Sequence, residues 1–447
     1  MNKKVILSSI IAALAGFLFG FDTIVISGAE QDIQELWGTS GFFHSFFIMS
    51  MALWGTVLGS IFGGYPTDKF GRKKTLFYIG LLYFVSAVGS GMAWDPYSFS
   101  FFRFIGGFGV GASTVAAPIY ISEISTAATR GRMVALYQFN LVFGILIAFV
   151  SNWLINQYIE VNAWRWMLGI EALPALLYTI LVLGVPKSPR WLYLFRNKIA
   201  EARATLLQIN PDQDPESAFE TMSNDKDKLQ TKERLFKPKY FTLLALAFFI
   251  AFFNQVSGIN AFLYYANRIF EAAGLGENAT FLSGIGVGIV NLVFTLFGLV
   301  LIDRMGRKSL MYIGSVGYII SLTLVAMAFA NDWEGMMVPI FLFIFIASHA
   351  IGQGAVIWVF IAEIFPNHLR GSGQSFGTSV HWVLAALITL FMAPALEALA
   401  NPWPVFAFFA FMMVLQLFWV HKFMPETKGK SLEELSKILL KRKQDND

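Results

Sequence analysis

The chain has 447 residues, of which 56% are hydrophobic and 14% charged, with a formal net charge of +4. Soluble domains carry roughly a quarter of their residues as charged side chains, so this composition indicates a protein whose main solvent is lipid. The small net charge gives no case for nucleic-acid binding. The chain has no cysteine, which excludes disulfides, thiolate metal sites and cysteine nucleophiles.

Twelve apolar runs are each long enough to cross a bilayer, which takes about 20 helical residues. All are predicted helices, since an open strand in lipid would leave its backbone unpaired. They lie at 5–28, 43–65, 74–94, 97–121, 133–156, 163–185, 240–270, 279–302, 309–330, 336–363, 373–400 and 402–424. The first run follows a basic start, as a cleavable signal peptide would. Because its apolar character continues to about Gly28, we expect an uncleaved span instead.

Charged residues alternate between the two ends of these runs. The odd-numbered connections are acidic or nearly uncharged, with Arg165 and Arg268 as their basic residues, whereas the even-numbered connections and both termini hold nearly all the lysine and arginine. The positive-inside rule therefore predicts a multi-pass protein with both termini in the cytoplasm.

One long polar segment divides the chain into two sets of six runs. We predict an N-terminal six-helix bundle at 1–186, a cytoplasmic linker at 187–239, a C-terminal six-helix bundle at 240–424 and a cytoplasmic tail at 425–447. Short linker helices are expected at 200–208 and 223–236.

A charged loop occurs twice, as DKFGRKK at 68–74 and as DRMGRKS at 303–309. A second pair of positions keeps a similar spacing, with Glu123 and Arg130 in the first half and Glu363 and Arg370 in the second. Two homologous halves that line one midplane cavity are typical of alternating-access transporters. The duplication favours a cytoplasmic gate over simple positive-inside anchoring.

Further motifs follow along the chain in a characteristic order. They are RFIGGFGVG at 103–111, PIYISEIS at 118–125, RGR at 130–132, PKSPRWL at 186–192, NQVSGINAFLYY at 254–265, IAEIFPNHLRG at 361–371 and PETKGKSLEEL at 425–435. With the paired loops they make the sequence resemble the sugar porter family of the major facilitator superfamily. The resemblance implies an all-α membrane protein with twelve transmembrane helices in two pseudo-symmetric bundles.

Asp22 lies inside the first apolar run. A carboxylate within a span costs about 2.5–3.5 kcal/mol on insertion scales, so it is usually paired and functional. The topology places Arg103 of the fourth run at a similar depth, which predicts an ion pair. In proton-coupled sugar porters an aspartate at this place pairs with that arginine, so the resemblance implies proton symport. A purely structural ion pair is the alternative.

The resemblance also implies a sugar site of amide and aromatic side chains. Amides both donate and accept hydrogen bonds, and tryptophan offers a flat face to a sugar ring. The predicted substrate residues are Gln138, Asn254, Gln255, Asn260, Asn291, His349, Trp358, His381 and Trp382. Ser257-Gly258 and the glycines Gly352 and Gly354 are expected to break their helices.

Two histidines depart from the family pattern. His381 stands where glutamine or asparagine is common, and His349 stands where the family has an apolar or aromatic residue. They are predicted either to bind substrate or to be buried neutral donors.

The predicted cytoplasmic gate consists of charged residues in the loops and span ends. They are Asp68, Arg72, Glu123, Arg130, Arg190, Asp303, Arg307, Glu363, Arg370 and Glu426. Lys187 replaces an acid that the family usually has in its PESPR motif, so one salt bridge of the rim is expected to be missing or rewired.

The sequence therefore predicts a proton-coupled importer of a hexose or pentose in the cytoplasmic membrane, driven by the proton gradient. An inositol or polyol symporter and an uncoupled sugar facilitator are the alternatives. A membrane sugar sensor is disfavoured by the short tail, and no motif predicts an enzyme. The expected partners are a monosaccharide, a proton and the lipid bilayer. No cofactor, metal or nucleic acid is expected, and the resemblance implies a monomer.

Overall fold

The computed structural model describes residues 2–126, 129–211, 214–229, 234–333, 335–366, 369–430, 434–435 and 439. No strand occurs among these residues, and twelve of their helical segments are long and apolar enough to cross a membrane. The predicted all-α class and the predicted number of spans are therefore confirmed. Parts of the predicted linker and tail, at 230–233, 431–433, 436–438 and 440–447, lie outside the described residues.

We number the spans 1 to 12 in chain order. They are Lys3–Gly28, Gly41–Phe62, Arg72–Gly91, Pro96–Ile124, Arg130–Tyr158, Ala163–Gly184, Pro238–Tyr264, Glu277–Met305, Arg307–Ala330, Met337–Ile364, Arg370–Ala398 and Trp403–Lys422. Several helices extend past the apolar runs into polar residues, as span 8 does at Glu277. Backbone hydrogen bonding continues there after the side chains have become polar.

Spans 7 and 10 are each divided into two helical segments. The segments are Phe241–Gln255 and Ile259–Tyr264 in span 7, and Met337–Ile351 and Gln353–Ile364 in span 10. Gly258 has φ +83°, a backbone conformation that glycine adopts without steric cost. Gly352 separates the two segments of span 10. Both breaks fall where the glycines of the sequence predict them.

Spans 1 and 2 contain irregular turns that the sequence did not reveal. The α-helix of span 1 ends at Val25 and continues as a 3₁₀ turn, Ile26–Gly28. Span 2 begins with Gly41–Phe43, passes through a π-helical turn, His44–Met49, and continues as Met51–Phe62. Turns of both kinds often mark hinges or functional sites in longer helices.

Shorter helices join the spans. They are Glu30–Trp37, Gly64–Lys69, Pro189–Leu194, Ile199–Ile209, Pro215–Leu229, the 3₁₀ turn Pro238–Tyr240 and Ala266–Ala272. The first predicted linker helix corresponds to Ile199–Ile209. The second begins earlier than expected because Asp214 accepts a hydrogen bond from the Ser217 amide and Pro215 occupies the first helical position.

The described contacts divide the chain into two compact units. Unit 1 comprises Met1–Val25, Met51–Ala148 and Asn162–Lys232, and unit 2 comprises Ile26–Ser50, Phe149–Val161 and Glu233–Asp447. The unit boundaries in spans 1 and 2 coincide with their irregular turns. Unit 2 therefore includes one end of spans 1, 2 and 5 in addition to spans 7 to 12. The predicted bundle boundaries at 187, 240 and 425 stay a prediction.

Gly71 and Gly306 form the turns of the duplicated loop. Their φ angles are +92° and +88°, which glycine tolerates and other residues rarely adopt. A Cβ atom on Gly71 would also lie 2.8 Å from the Trp191 ring. The two turns place Arg72 and Arg307 at the first residues of spans 3 and 9.

Glu426 caps the start of span 9. Its carboxylate accepts hydrogen bonds from the backbone amides of Arg307 at 3.0 Å and of Lys308, Thr427 and Lys428 at 2.9 Å each. Burial alone would raise the pKa of Glu426, but these amide donors lower it below its ordinary value. The carboxylate also lies favourably at the positive end of the helix dipole.

We expect Glu426→Gln to lower thermal stability at neutral pH, because a helix cap of this kind contributes about 1 kcal/mol. Because the pKa of Glu426 is lower in the folded state, its ionised carboxylate stabilises the fold fully above pH 4.5, the ordinary pKa of a glutamate. This stabilisation is lost as the pH falls below that value and through the lowered pKa. Melting temperatures of purified wild type and variant should therefore differ most at pH 7 and converge below about pH 4.5. The matched control is Asp303→Asn, at an exposed acid near the end of span 8 that also lies beside Arg307. A constant difference across this pH range would contradict the role of the carboxylate charge.

Candidate functional site

Asp22 and Arg103 form a buried ion pair in unit 1. Arg103 Nη1 lies 2.6 Å from Asp22 Oδ1, and Arg103 Nη2 donates to the Asp22 backbone carbonyl at 3.0 Å. Both side chains are 2% exposed. The structure thus brings together the two residues that the sequence paired, while their role in proton coupling stays a prediction.

Glu171 of span 6 lies beside this pair and was not among the predicted site residues. It is buried and lies close to Asp22 and Arg103. Its Oε1 atom has no hydrogen-bond partner among the described residues. The helix is interrupted here, since Ala163–Gly169 ends just before Glu171 and Ala172–Gly184 begins just after it. An acid within an apolar run is the signal that identified Asp22, and it would have identified Glu171 as well.

Three predicted substrate amides converge at the break in span 7, within unit 2. The Gln255 side-chain nitrogen donates to Asn254 Oδ1 at 3.0 Å, and Asn260 Nδ2 donates to Gln255 Oε1 at 2.8 Å. Asn260 reaches back to Gln255, although five positions separate them, because the chain turns at Gly258 between the two helical segments.

Aromatic rings flank these amides. Both ring nitrogens of His381 lie 3.2 Å from the Gln255 side-chain nitrogen. The His381 ring centroid lies 4.8 Å from that of Trp358 and 4.8 Å from that of Trp382. Spans 7, 10 and 11 therefore contribute to one cluster of amides and rings, whose members can donate to and accept from hydroxyl groups.

The remaining predicted substrate residues lie apart from this cluster in their described contacts. Gln138 is partly buried on span 5 and belongs to unit 1. Asn291 on span 8 accepts a hydrogen bond from Thr295 at 3.4 Å. His349 Nδ1 lies 2.5 Å from the Tyr318 hydroxyl group. Their contact with substrate stays a prediction.

Arg72 organises the predicted gate residues of the first half. Its guanidinium group donates to both carboxylate oxygens of Glu123, at 2.8 Å each, and to Asp68 at 3.0 Å. Ser188 donates to the same Glu123 carboxylate at 2.6 Å. Trp191 Nε1 donates to the Asp68 carbonyl at 2.7 Å, which fixes the loop.

The second half repeats this arrangement in unit 2. Arg307 donates to Glu363 at 3.0 and 2.7 Å and lies 3.7 Å from Asp303. Thr427 donates to Glu363 at 2.6 Å, as Ser188 does to its counterpart. The duplicated motif therefore has a duplicated network of hydrogen bonds. Each network lies within one unit.

Lys187 and Glu426 occupy corresponding places, before Ser188 and Thr427 in the two networks. Glu426 caps span 9, whereas Lys187 donates to Glu201 of the linker helix Ile199–Ile209 at 2.5 Å. This hydrogen bond is the main cause that lowers the pKa of Glu201. Lys187, which stands in place of the family's acid, therefore bonds to the linker helix instead of to the gate.

The other predicted gate residues are arginines at span and loop ends. Arg130 Nε donates to the Ser122 carbonyl at 3.2 Å, and Arg130, Arg190 and Glu123 line a cavity of about 710 Å³ in unit 1. Arg370 is the first residue of span 11.

Comparisons with known proteins agree with this architecture. The sequence model of the family described as "Sugar (and other) transporter" matches residues 8–439. The arabinose-proton symporter of Bacillus subtilis is 34% identical over 98% of this chain and 95% of its own length. The D-xylose-proton symporter of Escherichia coli is 32% identical over 98% of this chain and 96% of its own length.

A solved structure extends the similarity to the fold. It shows the xylose transporter XylE from E. coli in a partially occluded inward-open conformation, with a TM-score of 0.86 and 28% identity over 96% of this chain and all of that chain. Fold, paired loops and sequence similarity lead to one conclusion: the chain belongs to the sugar transporter family of the major facilitator superfamily.

Proposed function

We propose that this protein carries a monosaccharide, a pentose or a hexose, across the membrane together with a proton by alternating access. The buried Asp22–Arg103 pair carries the proposal, in a chain whose relatives are named as sugar-proton symporters. Transport, rather than catalysis, is the proposed activity. The proton gradient is its energy source, and no cofactor takes part.

The proton acts on the Asp22–Arg103 pair. Ionised Asp22 holds the guanidinium group of Arg103, and protonation removes the attraction, so the protein then favours a different conformation. Glu171 is a second buried carboxyl group beside this pair. Arg103 can balance the charge of one of the two acids. Two buried acids and one arginine therefore offer a site that can hold a proton.

The sugar binds at the amide cluster of span 7. The hydrogen bonds that Gln255 now makes with Asn254, Asn260 and His381 can be exchanged for bonds to sugar hydroxyls, which also donate and accept. Trp358 and Trp382 offer apolar faces to the ring. His381 supplies a further polar group within the same cluster. Gln138 and Asn291 are assigned to substrate binding from the resemblance alone, whereas His349 departs from the family pattern and is assigned as a polar group near the predicted cavity.

The charge distribution supports an orientation in the cytoplasmic membrane with both termini in the cytoplasm. The monomeric state is proposed from the resemblance to the family. The Arg72–Glu123 and Arg307–Glu363 networks then face the cytoplasm. Because each arginine links a loop to span ends of its own half, the networks keep the loops rigid while the halves move. They serve as the two sides of the cytoplasmic gate.

We expect Asp22→Asn to abolish sugar accumulation above equilibrium while sparing counterflow exchange, because an amide does not take up the coupling proton. Proteoliposomes with an imposed pH gradient and labelled D-xylose, L-arabinose or D-glucose measure both activities. The control is Asp332→Asn at an exposed turn whose φ of +49° asparagine tolerates. Uphill accumulation by Asp22→Asn would disprove the coupling role.

We expect Gln255→Ala to weaken sugar binding about tenfold or more, since it removes one or two hydrogen bonds worth about 1 kcal/mol each. Calorimetry on purified protein with the same three sugars measures the affinity. The matched control is Gln353→Ala, at another buried amide of unit 2 that bonds Gln416 outside the cluster. Equal losses in both variants, or no loss in Gln255→Ala, would remove Gln255 from the site.

A further inference from the structure

A second group of buried charges lies in unit 2, at the end of the spans where the helix Glu30–Trp37 joins spans 1 and 2. The side chains of Glu30 and His44 are 0% exposed, and that of Arg268 is 16% exposed. Arg268 comes from the helix Ala266–Ala272, which follows span 7. The proposed proton and sugar sites use none of these residues.

The Glu30 carboxylate is the centre of this cluster. Arg268 donates to it twice, from Nε to Oε1 at 2.9 Å and from Nη2 to Oε2 at 2.7 Å. His44 Nε2 lies 3.1 Å from Oε2 and donates to it, because an ionised carboxylate only accepts. Arg268 Nη2 also donates to Gln34 Oε1. A bidentate arginine–carboxylate pair of this kind is among the stronger polar contacts in proteins.

These contacts join the first six-span half of the sequence to the second. Three more hydrogen bonds in unit 2 do the same at this end of the spans. They are Gln31 to Glu271 at 2.8 Å, Gln34 to Glu397 at 2.8 Å, and Ser45 with the Tyr265 hydroxyl at 3.0 Å. Span 5 is also joined to span 8, where Asn156 donates to Glu277 at 2.8 Å. Several polar contacts therefore hold residues of the two halves together at this end.

Several acidic residues lie close together at this end of the spans. Burial raises the pKa of the nearby Asp32, and the carboxylates of Glu35, Glu277, Glu271 and Glu30 raise it further. Glu397 also approaches Arg268 to 4.0 Å. The guanidinium group therefore faces two of these carboxylates, Glu30 and Glu397, and reduces the repulsion between them. Separation of Glu30 from Arg268 would leave a buried charge uncompensated, which is costly.

The helix irregularities bound the segment that carries these residues. The 3₁₀ turn Ile26–Gly28 precedes Glu30, and the π-helical turn His44–Met49 begins at the histidine of the cluster. Residues 26–50 belong to unit 2, whereas the rest of spans 1 and 2 belongs to unit 1. The two turns are therefore suited to act as hinges, so that the segment can part from span 7 without unfolding either span.

We propose that Glu30, Gln34, His44 and Arg268 form an outer latch, which holds the sugar pathway closed on the side opposite the termini and must open for sugar to enter. The assignment rests on the proposed alternating access and on the proposed orientation. Both the latch and the cytoplasmic gate are held by ion pairs. The latch residues lie on short helices and at a hinge turn, whereas the gate residues lie in the duplicated loops and at span ends. The Asp22 proton site lies on the same span, just before the hinge of the latch.

The test uses the fact that the chain has no cysteine, so Ser45→Cys introduces a single thiol. Ser45 is buried and contacts Tyr265, so its thiol is protected while the latch is closed. Proteoliposomes or cells are treated from outside with a membrane-impermeant maleimide, and the labelling rate is measured. We expect Ser45→Cys combined with Glu30→Gln and Arg268→Gln to be labelled about tenfold faster than Ser45→Cys alone, because the closed state loses its ionic contacts. Replacing both charges leaves neither one buried alone.

Two further variants separate a latch from damage to the fold. Ser45→Cys with Arg268→Lys keeps the positive charge but loses the bidentate contact, so it should raise the rate less than the double glutamine variant does. Ser45→Cys with Glu35→Gln, at an exposed acid of the same loop helix, should stay close to the parent rate. An unchanged rate in the double glutamine variant would overturn the proposal, as would equal acceleration in the two controls.

Counterflow of D-xylose, L-arabinose and D-glucose by the same variants tests transport separately. The labelling rate measures the accessibility of residue 45 and does not require that any of these sugars is transported. A protein that carries none of the three sugars can therefore still confirm or contradict the latch. Labelling of the double glutamine variant only from the side of the termini would place the cluster on the cytoplasmic side and contradict an outer latch.

Discussion

The buried pair of Asp22 and Arg103 is the interaction on which the proposed function depends. Both charges lie within apolar spans, where neither could remain without the other. Glu171 adds a second buried acid, so in the proposed mechanism the negative charge at the site changes with protonation while the positive charge stays fixed. That imbalance makes the stability of the site sensitive to protonation, which gives a proton gradient a way to drive conformational change.

The cytoplasmic networks and the outer latch use the same chemistry in different ways. Arg72 and Arg307 hold glutamates within their own halves, and the hydroxyl groups of Ser188 and Thr427 complete two nearly identical sites. The latch instead joins the two halves through Glu30 and Arg268. Rigid loops at one end and a breakable contact at the other are consistent with two halves that rock about a central sugar site.

The spans, the glycine breaks and the Asp22–Arg103 pair could be predicted because each leaves a local signal: a long apolar run, a glycine, or an acid within such a run. Glu171 had the same signal and was overlooked. Glu30, His44 and Arg268 could not be recognised, since they lie at the polar edges of spans where charged residues are ordinary. Only the fold brings Arg268 to Glu30, and the π-helical turn at His44 has no pattern in the sequence.

The proton flux itself shows whether sugar movement is coupled to a proton. Proteoliposomes in a weakly buffered medium receive D-xylose, L-arabinose or D-glucose, and the external pH is recorded. With coupling, we expect a transported sugar to raise the external pH as protons enter with it, and a protonophore to abolish the signal. Sugar uptake without any change of pH would contradict coupling and indicate an uncoupled facilitator.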